Sequence, residues 1–348
     1  MNRKIILPIL GLIGIIALSG IILYMDSEYR HTILQTVDIK QTPEIIVNSY
    51  VLEPLAVGLP FPYHLTIIDD DVFFNQRFTG KLFVIKNEEF QKSPILELDS
   101  ENSKIRILGI SSDDSSIFVH IAESKENKIF ENNQILKYSW NGNSLNFIEV
   151  VDTLSLYTDE HHSGDSLVMN NGNIVSTIPV SAKQNDEEYY VYGIHGFDFD
   201  SITETLWHTS EVYWPEDLEE VDSLNQYEKI HIMSKPYKTS KSWEVPYYPN
   251  SILIPEVNFS TTYTDSLFVG FCKGVNSGGG LYEYPLNSER NEFLIPNTQS
   301  TLLNLNHDKF LIAENFYCIS DIELGSNNVI YLTDYVSNGA IYKIAPKQ

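Results

Sequence analysis

Apolar and polar positions alternate in short bursts along most of the chain. Three or four apolar residues meet a tight cluster of Asp, Asn, Ser or Gly and are answered by a second apolar run, which reads as strand, turn, strand. Leu65-Thr66-Ile67-Ile68, Asp69-Asp70-Asp71 and Val72-Phe73-Phe74 form the first such unit, and Leu108-Gly109-Ile110 with Ile117-Phe118-Val119 the second. Leu167-Val168-Met169 leads through Asn170-Asn171-Gly172-Asn173 to Ile174-Val175, and Phe197-Asp198-Phe199 leads to Leu206-Trp207. Ser251-Ile252-Leu253-Ile254 with Leu267-Phe268-Val269, and Asp321-Ile322-Glu323-Leu324 with Val329-Ile330-Tyr331-Leu332, complete six units. Their spacing averages about fifty residues, the length of a four-stranded blade, and radial closure lets so long an all-β chain avoid open edges. The pattern predicts an all-β fold, a six-bladed β-propeller over residues 55–346. The competing architecture is a pair of β-sandwiches, against which stands the lack of a Pro-, Gly- or Ser-rich linker. No long stretch carries a 3.6-residue period; residues 215–224 are acidic and short.

A different pattern opens the chain. Ile5 to Tyr24 are mostly apolar and uncharged, long enough for a transmembrane helix. Arg3 and Lys4 precede it and Asp26 and Glu28 follow, so residues 1–4 are expected in the cytoplasm, residues 5–24 as a single-pass signal-anchor in the cell membrane, and the propeller outside. A cleaved signal peptide is the alternative, with Ala17-Leu18-Ser19-Gly20 a weak cleavage site. Residues 25–54 read as a partly polar lead-in. Asn258-Phe259-Ser260 is a lone glycosylation sequon compatible with export.

The 348 residues include 21 Tyr and 17 Phe, ample for a large core. Asp and Glu outnumber Lys and Arg by 47 to 23, a formal charge of −24 that argues against a nucleic-acid partner. The imbalance is otherwise the property of a solvated surface. Cys272 and Cys318 fit neither a zinc cluster nor a dense disulfide scaffold; whether they pair is left open by the sequence.

Several blocks, in order, resemble the glucose/sorbosone dehydrogenase family. They are Gln76-Arg77-Phe78-Thr79-Gly80, Leu108-Gly109-Ile110, Asn133 to Tyr138, Glu160-His161-His162-Ser163-Gly164-Asp165, Tyr192 to Asp200, Leu267-Phe268-Val269-Gly270 with Lys273, and the closing Asp321 to Ile344. The resemblance implies a six-bladed propeller that oxidises an aldose sugar or related alcohol with pyrroloquinoline quinone, often helped by calcium. It places His161 at the catalytic base, a role suited to imidazole, with Glu160 beside it as orienter. Lys273 falls on a cofactor-binding position, and His195 stands where a cofactor arginine is missing. Glu219, Glu220 and Asp222 match the acidic residues implied for calcium, an ion held by oxygen ligands; a solvated acidic turn is the plainer reading.

The chain departs from the family at positions that matter. The mid-chain arginine is absent, and Ser320 replaces the arginine before the closing Asp-Val pair. Arginine is the natural partner of an anionic cofactor's carboxylates, so these losses favour a rival: a propeller without cofactor that binds a protein, glycan or cation. Adjacent His161 and His162 on a strand point to opposite faces and form no two-ligand metal pair. Trp207, Trp214 and Trp243 are expected in packing between blades rather than in a pocket. A Ser-His-Asp hydrolase lacks its Gly-x-Ser-x-Gly elbow.

Overall fold

A computed structural model describes residues 42–347 except 78, 100–102, 126–131, 155–166, 171–172, 177–180, 185–186, 191–193, 211–227, 235–237, 246–247, 256–262, 273–278, 296–306 and 337. The proposed anchor, residues 5–24, lies outside the described residues. What is described is all β apart from two short 3-10 turns, and every strand pairing is antiparallel. Each of the six strand–turn–strand units in the sequence is the first antiparallel pair at one position around a ring.

The first strand at each position is innermost: Pro62–Ile68, Ser103–Ser112, Leu167–Asn170, Ile194–Asp200, Tyr248–Leu253 and Ile319–Leu324. Each contacts the next in that order, and Ile319–Leu324 contacts Pro62–Ile68, so the ring closes. Four or five strands build outward at five positions, while the hairpin Leu167–Ser176 occupies the third and the separate hairpin Ser181–Tyr190 follows it in the chain. This is the arrangement of a β-propeller, in which no innermost edge is left open to another chain.

Closure uses chain from the segment read as lead-in. Tyr50–Leu59 pairs antiparallel with Gly339–Pro346, so the last sheet is completed by residues from the start of the domain. Glu44–Ile45 adds a short outer strand beside Leu311–Phe316. Both termini of the domain are thereby held in the ring, a long-range closure that residue patterning within one strand does not reveal.

Turn chemistry fixes the hairpins. Asp69 takes φ 53° between paired Ile68 and Asp71, a left-handed conformation that Asp tolerates better than most residues. Asp113 accepts the N–H groups of Ser115 and Ser116 on Oδ1, an Asx turn entering the strand Ser116–Lys125.

Between sheets the core is dense and aromatic. Trp207 and Trp243 are buried and stacked at 5.8 Å, with Phe293 edge-on to both, which places two of the three tryptophans in packing as expected. Trp214 lies outside the described residues. Gly196 has no room for a Cβ, which would meet the Ser251 backbone at 2.6 Å; glycine here lets two inner strands approach. Nearby, buried Arg290 bonds the carboxylates of Asp200 at 2.8 Å and Asp265 at 2.9 Å and the carbonyl of Pro255 at 2.8 Å. These contacts tie the fourth position to the fifth.

Candidate functional site at the end where the inner strands begin

The inner strands run parallel around the ring. Ser320 Oγ donates to the carbonyl of Tyr63 and Asp321 accepts from the N–H of Leu65, so residue numbers rise together on the two strands. The same holds where Gly196 lies against Ser251 and Asp198 accepts from Ile254. All inner strands therefore start at one end of the ring. In an antiparallel sheet the second strand returns to that end and the third leaves from it.

This ordering locates the candidate residues by their flanks. Glu160 and His161 fall between strand ends Leu154 and Leu167, Glu219, Glu220 and Asp222 between Ser210 and Glu228, and Lys273 between Cys272 and Gly279. All six of those strand ends lie at the end where the inner strands begin. The six candidates themselves lie outside the described residues, as does the side chain of His195, whose backbone is the second residue of Ile194–Asp200.

Described side chains at the same end form a cluster that the sequence did not single out. Cys272 and Cys318 are joined by a disulfide, which links the end of the strand Ser266–Cys272 to the residue before Ile319–Leu324. The bridge packs among Phe61, Tyr63, Tyr317 and Tyr335. Arg77 sets its guanidinium 4.3 Å from the ring centroid of Tyr63 and 5.0 Å from that of Tyr335, a double cation–π contact. Asp334 accepts the N–H groups of Tyr317 and Cys318 on one oxygen, at 2.8 and 2.9 Å. Burial pushes its carboxyl up to about 7 against the lowering effect of those two bonds. The only local clue was Gln76-Arg77 within the resembling block; its aromatic partners are distant in sequence.

Further along the inner strands the character changes to carboxylate. Asp321 accepts N–H bonds from Leu65 at 2.7 Å and Ile322 at 2.9 Å, and its Oδ2 lies 3.6 Å from Nδ1 of buried His64. Asp198 makes the matching latch between positions four and five, accepting from Ile254 at 2.6 Å and Phe199 at 2.8 Å. Its carboxyl is pushed up to about 7, first by burial and then by the charges of Asp200 and Asp321, with the two N–H bonds opposing. Glu323 is raised well above the ordinary carboxyl value by burial, then by Asp321 and Asp198. Acids at alternate positions, Asp198-Phe199-Asp200 and Asp321-Ile322-Glu323, are the sequence signal for this group. Among the described residues no three His, Cys, Asp or Glu side chains are placed to hold a metal ion.

With that geometry in view, comparison with solved structures is informative. A soluble aldose sugar dehydrogenase from Escherichia coli, solved in its apo form, is 12% identical, with 86% of this chain and 100% of that chain covered at a TM-score of 0.55. A protein described as glucose dehydrogenase is 14% identical over 85% and 100% at 0.56. A calcium structure of a Trichoderma reesei carbohydrate-active enzyme of family AA12 is 10% identical over 88% and 97% at 0.56. What the chain shares with them is the fold. The resemblance read from the sequence blocks thus holds at that level, with the divergence that identities of 10 to 14% describe. No protein-family model and no curated protein matches the sequence.

At Ser320, the described position where the resemblance implies an arginine, there is no cation to meet a cofactor's carboxylate. The serine is buried and commits its hydroxyl to the Tyr63 carbonyl and Thr333 Oγ1, inside the junction of two sheets. Burial, then neighbouring carboxylates, raise the carboxyls of Asp198 and Glu323, and Arg77 is engaged by two tyrosine rings. An anionic quinone would depend on Lys273 and His195.

Proposed function

We propose that this protein is a six-bladed propeller, with the two hairpins as its third blade, that oxidises an aldose sugar or related alcohol outside the cell. The observation that carries the reading is the fold itself, shared over most of the chain with proteins described as glucose and aldose sugar dehydrogenases. The flanks of all the residues singled out by sequence lie at one end of that fold. His161 is the base that accepts the proton of the sugar hydroxyl, and Glu160 orients its ring. Lys273 and His195 are the contacts available to pyrroloquinoline quinone, and Glu219, Glu220 and Asp222 to calcium. The N-terminal helix tethers the propeller to the cell membrane on its outer side, and nucleic acid is not a partner.

The test is oxidation of an aldose panel by the full chain in a non-glycosidic detergent, with the quinone, calcium and a dye as terminal acceptor. Dye reduction that falls by about 100-fold or more in His161→Ala supports the reading. A folded protein that reduces no dye with any sugar sinks it. The second reading, a propeller that binds without chemistry, then takes its place; the structural commitment of Ser320 and the raised carboxyls of Asp198 and Glu323 favour it.

A further inference from the structure

We propose that Phe61, Arg77 and Tyr317, backed by the buried ring of Tyr335, form a stacking subsite for one saccharide ring at the end where the inner strands begin. The subsite rests on the proposed carbohydrate function for its ligand class, but on none of the residues assigned above to catalysis, cofactor or metal. Its members come from separate parts of the chain: the turn before the first inner strand, the end of the next strand and the connection before the last inner strand, with Tyr335 behind them at the end of the neighbouring strand.

Three observations converge on it. Phe61 adopts φ 47°, a conformation that a bulky side chain takes only when its surroundings impose it, and one that glycine would fill without strain. The fold alone asks for glycine there, yet a phenyl ring is present, half-buried and 6.0 Å from the Tyr335 ring. Arg77 is half-buried too, and its plane is fixed by Tyr63 and Tyr335. Tyr317, also half-buried, is immobilised on both sides: its N–H is held by Asp334, and the next residue is bridged to Cys272.

This composition suits a sugar. The axial C–H bonds of a pyranose carry partial positive charge and stack on the negative face of an aromatic ring, while the ring hydroxyls accept hydrogen bonds from a planar guanidinium. A platform held by a disulfide, a buried carboxyl and two cation–π contacts binds without first ordering its side chains, which removes part of the entropic cost of binding.

The test is calorimetric titration of the full chain, in a non-glycosidic detergent, with D-glucose and with methyl α-D-glucopyranoside. The glucoside has no free anomeric hydroxyl and reports binding apart from oxidation there. The informative variant is Phe61→Gly, which removes the ring while easing the backbone, so folding is retained. Tyr317→Leu is the second variant, and thermal melts of both check the fold. The subsite predicts saturable binding of the glucoside that weakens by about fivefold or more in each variant, the loss expected on deleting a stacking ring. Glucoside binding unchanged in both variants, or no binding of either sugar by the wild type, overturns it. Binding that depends on Phe61 and Tyr317 in a protein that oxidises no sugar keeps the subsite and removes the oxidase reading. Oxidation with binding indifferent to both rings does the reverse.

Discussion

Asp198 and Asp200 stand two residues apart on the same inner strand and illustrate two uses of a buried carboxyl. Asp200 meets Arg290 at 2.8 Å and also accepts from Thr203 and the N–H of Ile202, so its charge is matched and its lone pairs are occupied. Asp198 receives only N–H groups, has Asp200 and Asp321 as charged neighbours, and is pushed up to about 7. The first region behaves as a fastener between two sheets. The second, shared with Glu323, is a place where burial and nearby carboxylates favour the protonated acid. The difference teaches that the acidity of this chain is not all surface: part of it is built into the inner strands, and only part of that is neutralised.

The contrast breaks most visibly at Arg290. Arg290→Met removes the cation from Asp200 and Asp265 and a donor from the Pro255 carbonyl, and the expected loss of stability is about 3–5 kcal/mol by chemical denaturation, the range for removing one partner of a buried pair. A loss below about 1 kcal/mol would mean that the fastener is dispensable.

Next in size is a pH effect. Asp198 and Asp334 release their protons near 3.8 when unfolded and about 7 when folded, so between those values the folded chain holds more protons. Their contribution is complete below pH 3.8 and is lost as pH rises through 7, with a slope of at most about 1.4 kcal/mol per pH unit for each carboxyl. His208 opposes this. Burial lowers it from 6.5 to about 4, so it adds stability as pH rises across that window and loses it as pH falls. Stability should therefore drop most steeply between pH 6.5 and 7 and level off above it, and Asp198→Asn should flatten the drop in denaturation midpoints measured from pH 6 to 8. An unchanged slope would mean that Asp198 does not titrate there.

The smallest effect is expected where charge is solvated. Lys343 meets Glu88 at 2.7 Å and Glu53 at 3.1 Å, but both acids are more than half exposed. Lys343→Met should change stability by no more than about 1 kcal/mol, and 0.5 M salt should shrink the difference. A larger, salt-insensitive loss would erase the distinction between matched buried charge and matched surface charge.

Much of the ring was legible in the sequence because it is local. Each strand–turn–strand unit announces itself through alternation and turn residues, and each is found as the innermost pair of its sheet. The closing strand Tyr50–Leu59 was not legible, since its partner Gly339–Pro346 lies at the other end of the chain and nothing in either run names the other. The Cys272–Cys318 bridge and the Arg77 cluster escaped for the same reason. Ser320 shows the converse: the resemblance implies an arginine there, whereas its bonds to Tyr63 and Thr333 show the position serving the sheet junction. Glu160, His161 and Lys273 were reached through resemblance, and the structure describes the strand ends on either side of them.

The central claim is that function resides at the end where the inner strands begin, and hydrogen–deuterium exchange of the full chain with and without saturating D-glucose tests it most directly. The account predicts slowed exchange in peptides spanning residues 59–64, 76–81, 316–319 and 334–339. Turns at the opposite end, residues 69–70, 113–116 and 325–329, should exchange as before. Protection confined to those opposite turns, or none at either end, would contradict it.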